Sequence, residues 1–546
     1  MSDDLVVIER LEKVIGQHLE RFDHIPINSR GYQLDSQSRQ VVELSLYEGG
    51  LRSFPLEIIE LQHLQSLDLT WNQLRQLPKE ISLLKNLRTL YLSGNCLTEL
   101  PLEISKLNLL QKLYLNENHL TSFPEGLISL SHLQTLELRG NQLTQLPKEI
   151  AEIQMLQNLD LRNNYLTSLP QEITQLSSLK EFNVSHNSLT CLPSDLGPWQ
   201  TIQVLDLSMN RLLQLPHEVG QLQALKKLEL RENFLTQLPH TLGQLHSLEL
   251  FTLDMNKLTH LPPEIGQLKS LQELSVSHNQ LVYLPQEIGH LRELRKLELS
   301  HNLLTHLPNE IGHIQPVQQL ILNYNQLTQL PKEIAQLKEL RKLCINYNKL
   351  THLPKEIGRL QNLQELCLNG NRLQYLPAEM GQLQNLQVLH LINNHLTYLP
   401  KEIGQLHTLQ KLSLSNNQFT VLFEQIGQLQ NLRSLDLREN CLVQLPHNIG
   451  QLCQLQTLDL SKNRLTRLPK EIGQLRKLQW LGLRGNQLSY LPSEIGHLQS
   501  LQELNLRDNQ LTYLPMEMSY LHQLQRLCLS HNPLAQLPRN MSSLQK

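Results

Sequence analysis

The chain has 546 residues, 40% of them hydrophobic but only 4% aromatic, so leucine rather than large rings has to fill its interior. Its 48 Lys and Arg against 51 Asp and Glu leave a formal net charge of -3, without the basic balance of a general nucleic-acid binder. Polar residues interrupt every leucine cluster before the roughly 18 apolar residues of a spanning helix accumulate, so a soluble protein with no membrane span is expected.

The first element along the chain reads as a helix. Ser2 and the acids after it suit its start, and Leu5, Ile8, Leu11, Ile15 and Leu19 recur at three- and four-residue spacing on one face. Residues 32–34 and 41–46 flank the polar Asp35-Ser36-Gln37-Ser38 and predict a hairpin. Residues 1–41 are therefore expected to form a cap of helix and hairpin over the remainder of the chain. The start, Met1-Ser2-Asp3-Asp4, has neither the basic residues nor the apolar run of a secretion signal. Cys96, Cys191, Cys344, Cys367, Cys441, Cys453 and Cys528 are an odd number without terminal clustering, and read as reduced thiols of a cytoplasmic protein.

From residue 42 to 546 a single pattern recurs. Asparagine stands at 72, 95, 118, 141 and every 23 residues through Asn532, 21 times without an insertion. An earlier unit has Gly49 in the asparagine's place, which makes about 22 repeats. Leu537, Pro538 and Leu544 keep the phase, and no separate C-terminal domain is expected. In the unit from Leu64, Leu67 and Leu69 share one face of a short strand and Asp68 takes the other. The Asn72 amide can satisfy backbone groups where the strand turns, so stacked units would carry an asparagine ladder. Leu77-Pro78-Lys79-Glu80 reads as the start of a short helical segment, with proline at its first position and a carboxylate at the positive end of the dipole. No unit buries its leucines alone, and neighbours on both sides complete it. The fold class is α/β, a parallel-sheet solenoid with short helical or 3-10 segments and loops opposite the sheet. Phe419, Phe423, Pro198-Trp199 and Pro316 break the pattern and predict local repacking rather than a domain boundary.

Leu64, Leu67, Leu69, Asn72 and Leu74 match L-x-x-L-x-L-x-x-N-x-L, and Leu-Pro-x-Glu-Ile-Gly-x-Leu occurs at 284–291 and 468–475. By these motifs the chain resembles leucine-rich-repeat proteins of the 23-residue type, in particular the intracellular Ras-group repeats of plants and the animal Ras-pathway scaffolds. Long bacterial arrays are similar. The resemblance implies a horseshoe with the parallel sheet on its concave face, serving as a protein-interaction scaffold in signalling. A small GTPase or a phosphatase is the partner class it suggests. Two other readings stand beside it: a secreted or surface effector that binds a host molecule, and a ligand or metal sensor.

No phosphate-binding glycine loop, metalloprotease helix or nucleophile elbow interrupts the array, so neither an enzyme nor a cofactor is expected. Candidate contact residues are the outward-facing strand positions, where residues 23 apart sit on strands about 4.8 Å apart. The middle strand position reads Ile321, Cys344, Cys367, His390 across four repeats. Two residues on it reads Asn323, Asn346, Asn369, Ile392, followed by Tyr324, Tyr347, Gly370, Asn393. This stretch is poor in charge and rich in aromatic and amide groups, and is the first candidate for partner binding. Cys344, Cys367 and His390 are also soft donors of the kind zinc takes, but a flat row lacks a fourth ligand and tetrahedral convergence, so no metal site is expected. A second column, just before each Leu-Pro, holds His260, Tyr283, His306, Gln329, His352, Tyr375 and Tyr398 and forms a weaker, lateral candidate edge. Arg139 and Arg162 are expected to pair crosswise with Glu137 and Asp160.

Overall fold

The computed structural model describes residues 3–535. The Ser2 cap and the in-phase Leu537, Pro538 and Leu544 lie outside the described residues. The chain divides into two compact units, Met1–Leu258 with Gln267–Leu271, and Thr259–Gly266 with Gln272–Lys546.

The first unit opens with helix α1 (Asp3–Ile15), then strands β1 (Glu20–Phe22), β2 (Gly31–Leu34) and β3 (Val41–Ser45). The helix stops short of Leu19 because Gly16 enters left-handed backbone at φ 68°, the conformation that ends helices. Leu19 is buried all the same, with its N–H donating to Glu12 Oε1 at 2.7 Å. Val7, Ile8 and Leu11 form the buried face of α1, while Arg10 pairs with Glu60 on the first 3-10 segment, Leu56–Glu60. Strand β2 runs parallel to β1 and antiparallel to β3. At the turn between β2 and β3, Asp35 Oδ1 accepts the N–H groups of Ser38 (2.7 Å) and Gln37 (3.0 Å). The Ser38 amide and hydroxyl and the Gln37 amide hold this carboxyl below the usual carboxylate range. Asp4 Oδ2 ties the helix to β3 by accepting the Val41 N–H at 2.8 Å.

From β3 on, each repeat contributes one short parallel strand, and the leucines stay in register: Leu44 with Leu67 and Leu90 in the first unit, Leu320 with Leu343 and Leu366 in the second. A one-residue slip would turn every leucine to the wrong face, so a buried face fixes this register. Opposite the sheet lie mostly five-residue 3-10 segments such as Lys79–Leu83. Five residues are too few to offset the cost of nucleating an α-helix. Two i→i+3 bonds, Ile81 N–H to Pro78 O and Leu84 N–H to Ile81 O, both 3.1 Å, shape the segment instead. Pro78 sits at the cap, one residue earlier than the sequence suggests. These layers stack so closely that a Cβ on Gly358 would stand 2.3 Å from Glu379 O, which accounts for the glycine of the Glu-Ile-Gly run.

Leu67, Leu69, Leu74, Ile81 and Leu84 are fully buried, each contributing roughly 1.5–3 kcal/mol. The asparagine ladder read from the sequence is present. Asn348 Nδ2 donates to Leu322 O at 2.9 Å, and its Oδ1 accepts the Leu327 N–H at 3.0 Å. At Pro198-Trp199 the stretch between strands Glu181–Asn183 and Val204–Asp206 runs through turns instead of a 3-10 segment. Trp199 is fully buried there, edge-on to Phe182 at 5.5 Å, with its Nε1–H donating to Ile173 O at 3.2 Å. Phe423 adopts φ -66° and ψ 142° before Glu424–Gln428, the backbone that proline takes elsewhere. Pro316 leaves the preceding segment, Asn309–His313, intact. Among the described residues no helix is long and apolar enough to cross a membrane.

Candidate interaction surface

The second unit carries the residues singled out from the sequence. Ile321, Cys344, Cys367 and His390 are register neighbours on consecutive strands. Cys344 and Cys367 are only 4% and 5% exposed, so the thiols offer little contact area to a partner. The amide row is also less free than its chemistry suggests. Asn323, Asn346 and Asn369 each use Oδ1 to accept the N–H of the next repeat, from Asn346 (2.9 Å), Asn369 (2.8 Å) and Ile392 (2.8 Å). Their carbonyl ends hold the repeats together, so these side chains cannot reorient freely around a partner.

Tyr324 and Tyr347 behave differently. Both have left-handed backbone, φ 53° and 54°, and donate their N–H groups to Asn346 O (2.8 Å) and Asn369 O (2.6 Å). The preceding repeats place His278 and His301 in the same conformation. The four rings form a continuous stack: His278 on His301 at 4.0 Å, His301 on Tyr324 at 4.2 Å, Tyr324 on Tyr347 at 4.5 Å, with planes 10–14° apart. Gly370 ends it, since a Cβ there would lie 2.5 Å from Tyr347 Cδ1. Tyr324 and Tyr347 are 45% and 47% exposed. Burial, then the neighbouring His278, pushes the His301 imidazole below its ordinary value, and Glu298 opposes them. The two histidines were overlooked in the sequence, although 278, 301, 324 and 347 share one 23-residue column.

The thiol row gains a neighbour that the sequence reading also missed. Glu365 precedes Cys367 by two residues and shares its face of the strand. Cys367 Sγ donates to Glu365 Oε1 at 3.2 Å, and Lys342 Nζ pairs with Glu365 Oε2 at 3.0 Å. One ligand atom each from Cys344, Glu365 and Cys367 lie within 4.8 Å of one another. The donors that converge are thus the two thiols with Glu365, not the row of Cys344, Cys367 and His390 read from the sequence. A hydrogen bond with Cys367 holds the Cys344 thiol below its ordinary value, and the same bond together with burial pushes Cys367 up. Burial would raise the Glu365 carboxyl, but Lys342 and the Cys367 thiol hold it below its ordinary value. His390 lies outside this cluster, with Nδ1 3.0 Å from Ser413 Oγ, and burial lowers its affinity for a proton.

The lateral column lines two shallow grooves. Tyr283 and His306 border one of about 580 Å³, and Tyr375 and Tyr398 one of about 530 Å³. His260, His306 and His352 each have Nδ1 within 3.1 Å of the preceding threonine hydroxyl, which fixes their rings. In the first unit the described ion pairs are not the crosswise ones expected: Arg162 pairs with Asp160 of its own repeat (2.6 Å) and Arg139 with Glu117 (3.2 Å), while Glu137 accepts from Asn116 Nδ2 at 2.6 Å. That unit also holds a cavity of about 510 Å³ between the loop at His24 to Asn28 and the stacked rings of Tyr91 and Tyr114, 4.6 Å apart. Burial, with Tyr91 and Glu137 adding to it, pushes the Tyr114 phenol up to about 12. No sequence motif marks this cavity.

The family model for a leucine-rich repeat region matches residues 124–210, 201–302, 283–367, 340–433, 416–481 and 470–546. Models for paired and single leucine-rich repeats match residues 85–127 and 60–75. A search of curated proteins gives no match. Among solved structures, the plant peptide hormone receptor RGFR1 in complex with RGF2 is 31% identical, over 94% of this chain and 84% of the receptor, with a TM-score of 0.75. The Arabidopsis receptor kinase HAESA, in complex with the peptide hormone IDA and the co-receptor SERK1, is 28% identical over 98% and 90%, with a TM-score of 0.67. YopM from Yersinia enterocolitica is 26% identical over 92% and 90%, with a TM-score of 0.57. With its 23-residue period, in-register leucine strands and buried asparagine ladder, the chain belongs to the leucine-rich-repeat family.

Proposed function

We propose that the chain is a non-enzymatic interaction scaffold that holds a protein ligand on the sheet side of its second unit, with Tyr324 and Tyr347 as anchors. The observation that carries this reading is the exposed four-ring stack ending on Gly370. Rings already held in place lose little freedom on binding, and their edges offer hydroxyl and imidazole groups beside an apolar body. Ile321 and Ile392, on the same sheet, and Tyr283, His306, Tyr375 and Tyr398, at the lateral grooves, would extend the contact. A cytoplasmic location fits the seven free thiols, and the Ras-group resemblance makes a small GTPase or a phosphatase the first folded partner to test. The solved relatives captured with peptide hormones favour a second occupant, an extended peptide, which fits the reading of a secreted or surface protein.

Affinity capture followed by titration of the recovered partner tests the surface. Replacing both Tyr324 and Tyr347 with alanine is expected to weaken binding by roughly 2–4 kcal/mol, the range of interface anchors, while stability falls only by the two stacked pairs lost, about 1–3 kcal/mol. Normal binding by this variant, alongside loss in Arg438→Ala and Arg484→Ala, would place the contact elsewhere on the sheet.

A further inference from the structure

We propose that Cys344, Cys367 and Glu365 form a binding site for a soft divalent cation, zinc being the ion that fits this donor set best. Two thiols and a carboxylate on adjacent strands place their ligand atoms within 4.8 Å of one another. Zinc with sulfur at about 2.3 Å and oxygen at about 2.0–2.2 Å needs donors about 3.5–3.8 Å apart, so side-chain rotation by about 1 Å closes the site. The strands are paired in register at Cys344 and Cys367, so the backbone already fixes the spacing of the two sulfurs.

The charges balance. Two thiolates and one carboxylate offset the ion together with the Lys342 ammonium, which already pairs with Glu365 Oε2 and leaves Oε1 beside the Cys367 thiol. Lys342 then acts as the outer partner that orients a ligating carboxylate. Binding replaces two S–H bonds with two S–metal bonds and releases both protons to solvent, with no change in oxidation state. With three protein ligands, the fourth position of a tetrahedral ion is left for water.

The test uses the full chain, reduced and stripped of metal with a chelator. Cobalt(II) is the optical probe: a thiolate-to-cobalt charge-transfer band with visible bands of tetrahedral cobalt is expected at one equivalent, and zinc should displace it. Calorimetry with zinc in two buffers of different ionisation enthalpy should report about two protons released per ion. Cys344→Ser with Cys367→Ser should abolish the band, and Glu365→Gln should lower zinc affinity at least about tenfold. Cys191→Ser with Cys453→Ser, at exposed thiols remote in sequence, should leave both unchanged. A circular-dichroism melt confirms that each variant is folded. Absence of the band in the reduced wild-type protein, or its persistence in the Cys344/Cys367 variant, overturns the proposal. So does a native Cys344–Cys367 disulfide whose reduction yields no zinc binding.

Discussion

Tyr324 and Tyr347 occupy a left-handed backbone position that costs an L residue other than glycine, asparagine or aspartate roughly 1–2 kcal/mol. Each stacked ring pair returns about 0.5–1.5 kcal/mol beyond its buried area, so the stack largely offsets the strain it depends on. Gly370→Ala should therefore be harmful twice over, through its φ of 66° and through the clash with Tyr347. The expected outcome is a melting temperature lowered by the equivalent of about 1–2 kcal/mol, with a change in tyrosine near-ultraviolet circular dichroism that Gly485→Ala, at an equally left-handed glycine without a ring over it, does not produce. The two asparagine rows can also be told apart. Asn348→Ala strands a buried N–H and carbonyl and should cost about 1–3 kcal/mol in urea unfolding, whereas Asn346→Ala, in a part-buried position, should cost less. Equal losses would mean that the outer row is as structural as the inner one. The His301 imidazole is depressed by burial and by His278, so its neutral form is the one the folded state prefers. Its contribution to stability is full above pH 6.5 and declines as pH falls from there through the lower folded value. An NMR titration should give His301 a midpoint below 6.5 that rises in His278→Asn; a midpoint at or above 6.5 in the wild type would show that the stack does not disfavour the charged ring.

Helix α1 and strands β1 and β2 cover the end of the first unit, with α1 against Leu56–Glu60 and β2 along β3. Deleting Asp3–Phe22 would expose Ile58 and the edge of β2, and an open edge invites pairing with another chain. Size-exclusion chromatography should show oligomers and the melt should begin at lower temperature; a monodisperse variant with an unchanged melt would show that these elements do something other than protect the array. Strand register was legible because the 23-residue period fixes which leucines face inward, and the asparagine ladder followed from the same period. The end of α1 was not, since Leu19 fits the helical spacing and only the backbone of Gly16 reveals the stop. At the candidate surface the columns were legible, but side-chain direction was not. A column shows that His278, His301, Tyr324 and Tyr347 are aligned, and only the ring separations and angles show that their rings lie on one another. Glu365 escaped notice because a reading along the thiol row ignores the residue two positions back on the same face, and the cavity under the His24 to Asn28 loop depends on a chain reversal with no motif of its own.

At the scale of the whole molecule, the repeat makes stability a sum of local terms, because each strand pairs only with the strands of its neighbouring repeats. A compact globular core would spread the effect of a cavity through every element that touches it. Here Leu389, fully buried on the strand Val388–His390, packs within a stack whose next members are Leu366 and Leu412. Leu389→Ala should cost about 2–5 kcal/mol, and the loss should stay local. Hydrogen exchange followed by mass spectrometry is expected to show faster exchange across the repeats from about residue 342 to 436, where the neighbouring strands lose their packing partner. Peptides from the first unit, 3–258, should keep their protection. If protection falls uniformly along the chain instead, the two units unfold as a single cooperative body and the nearest-neighbour account of this array is wrong.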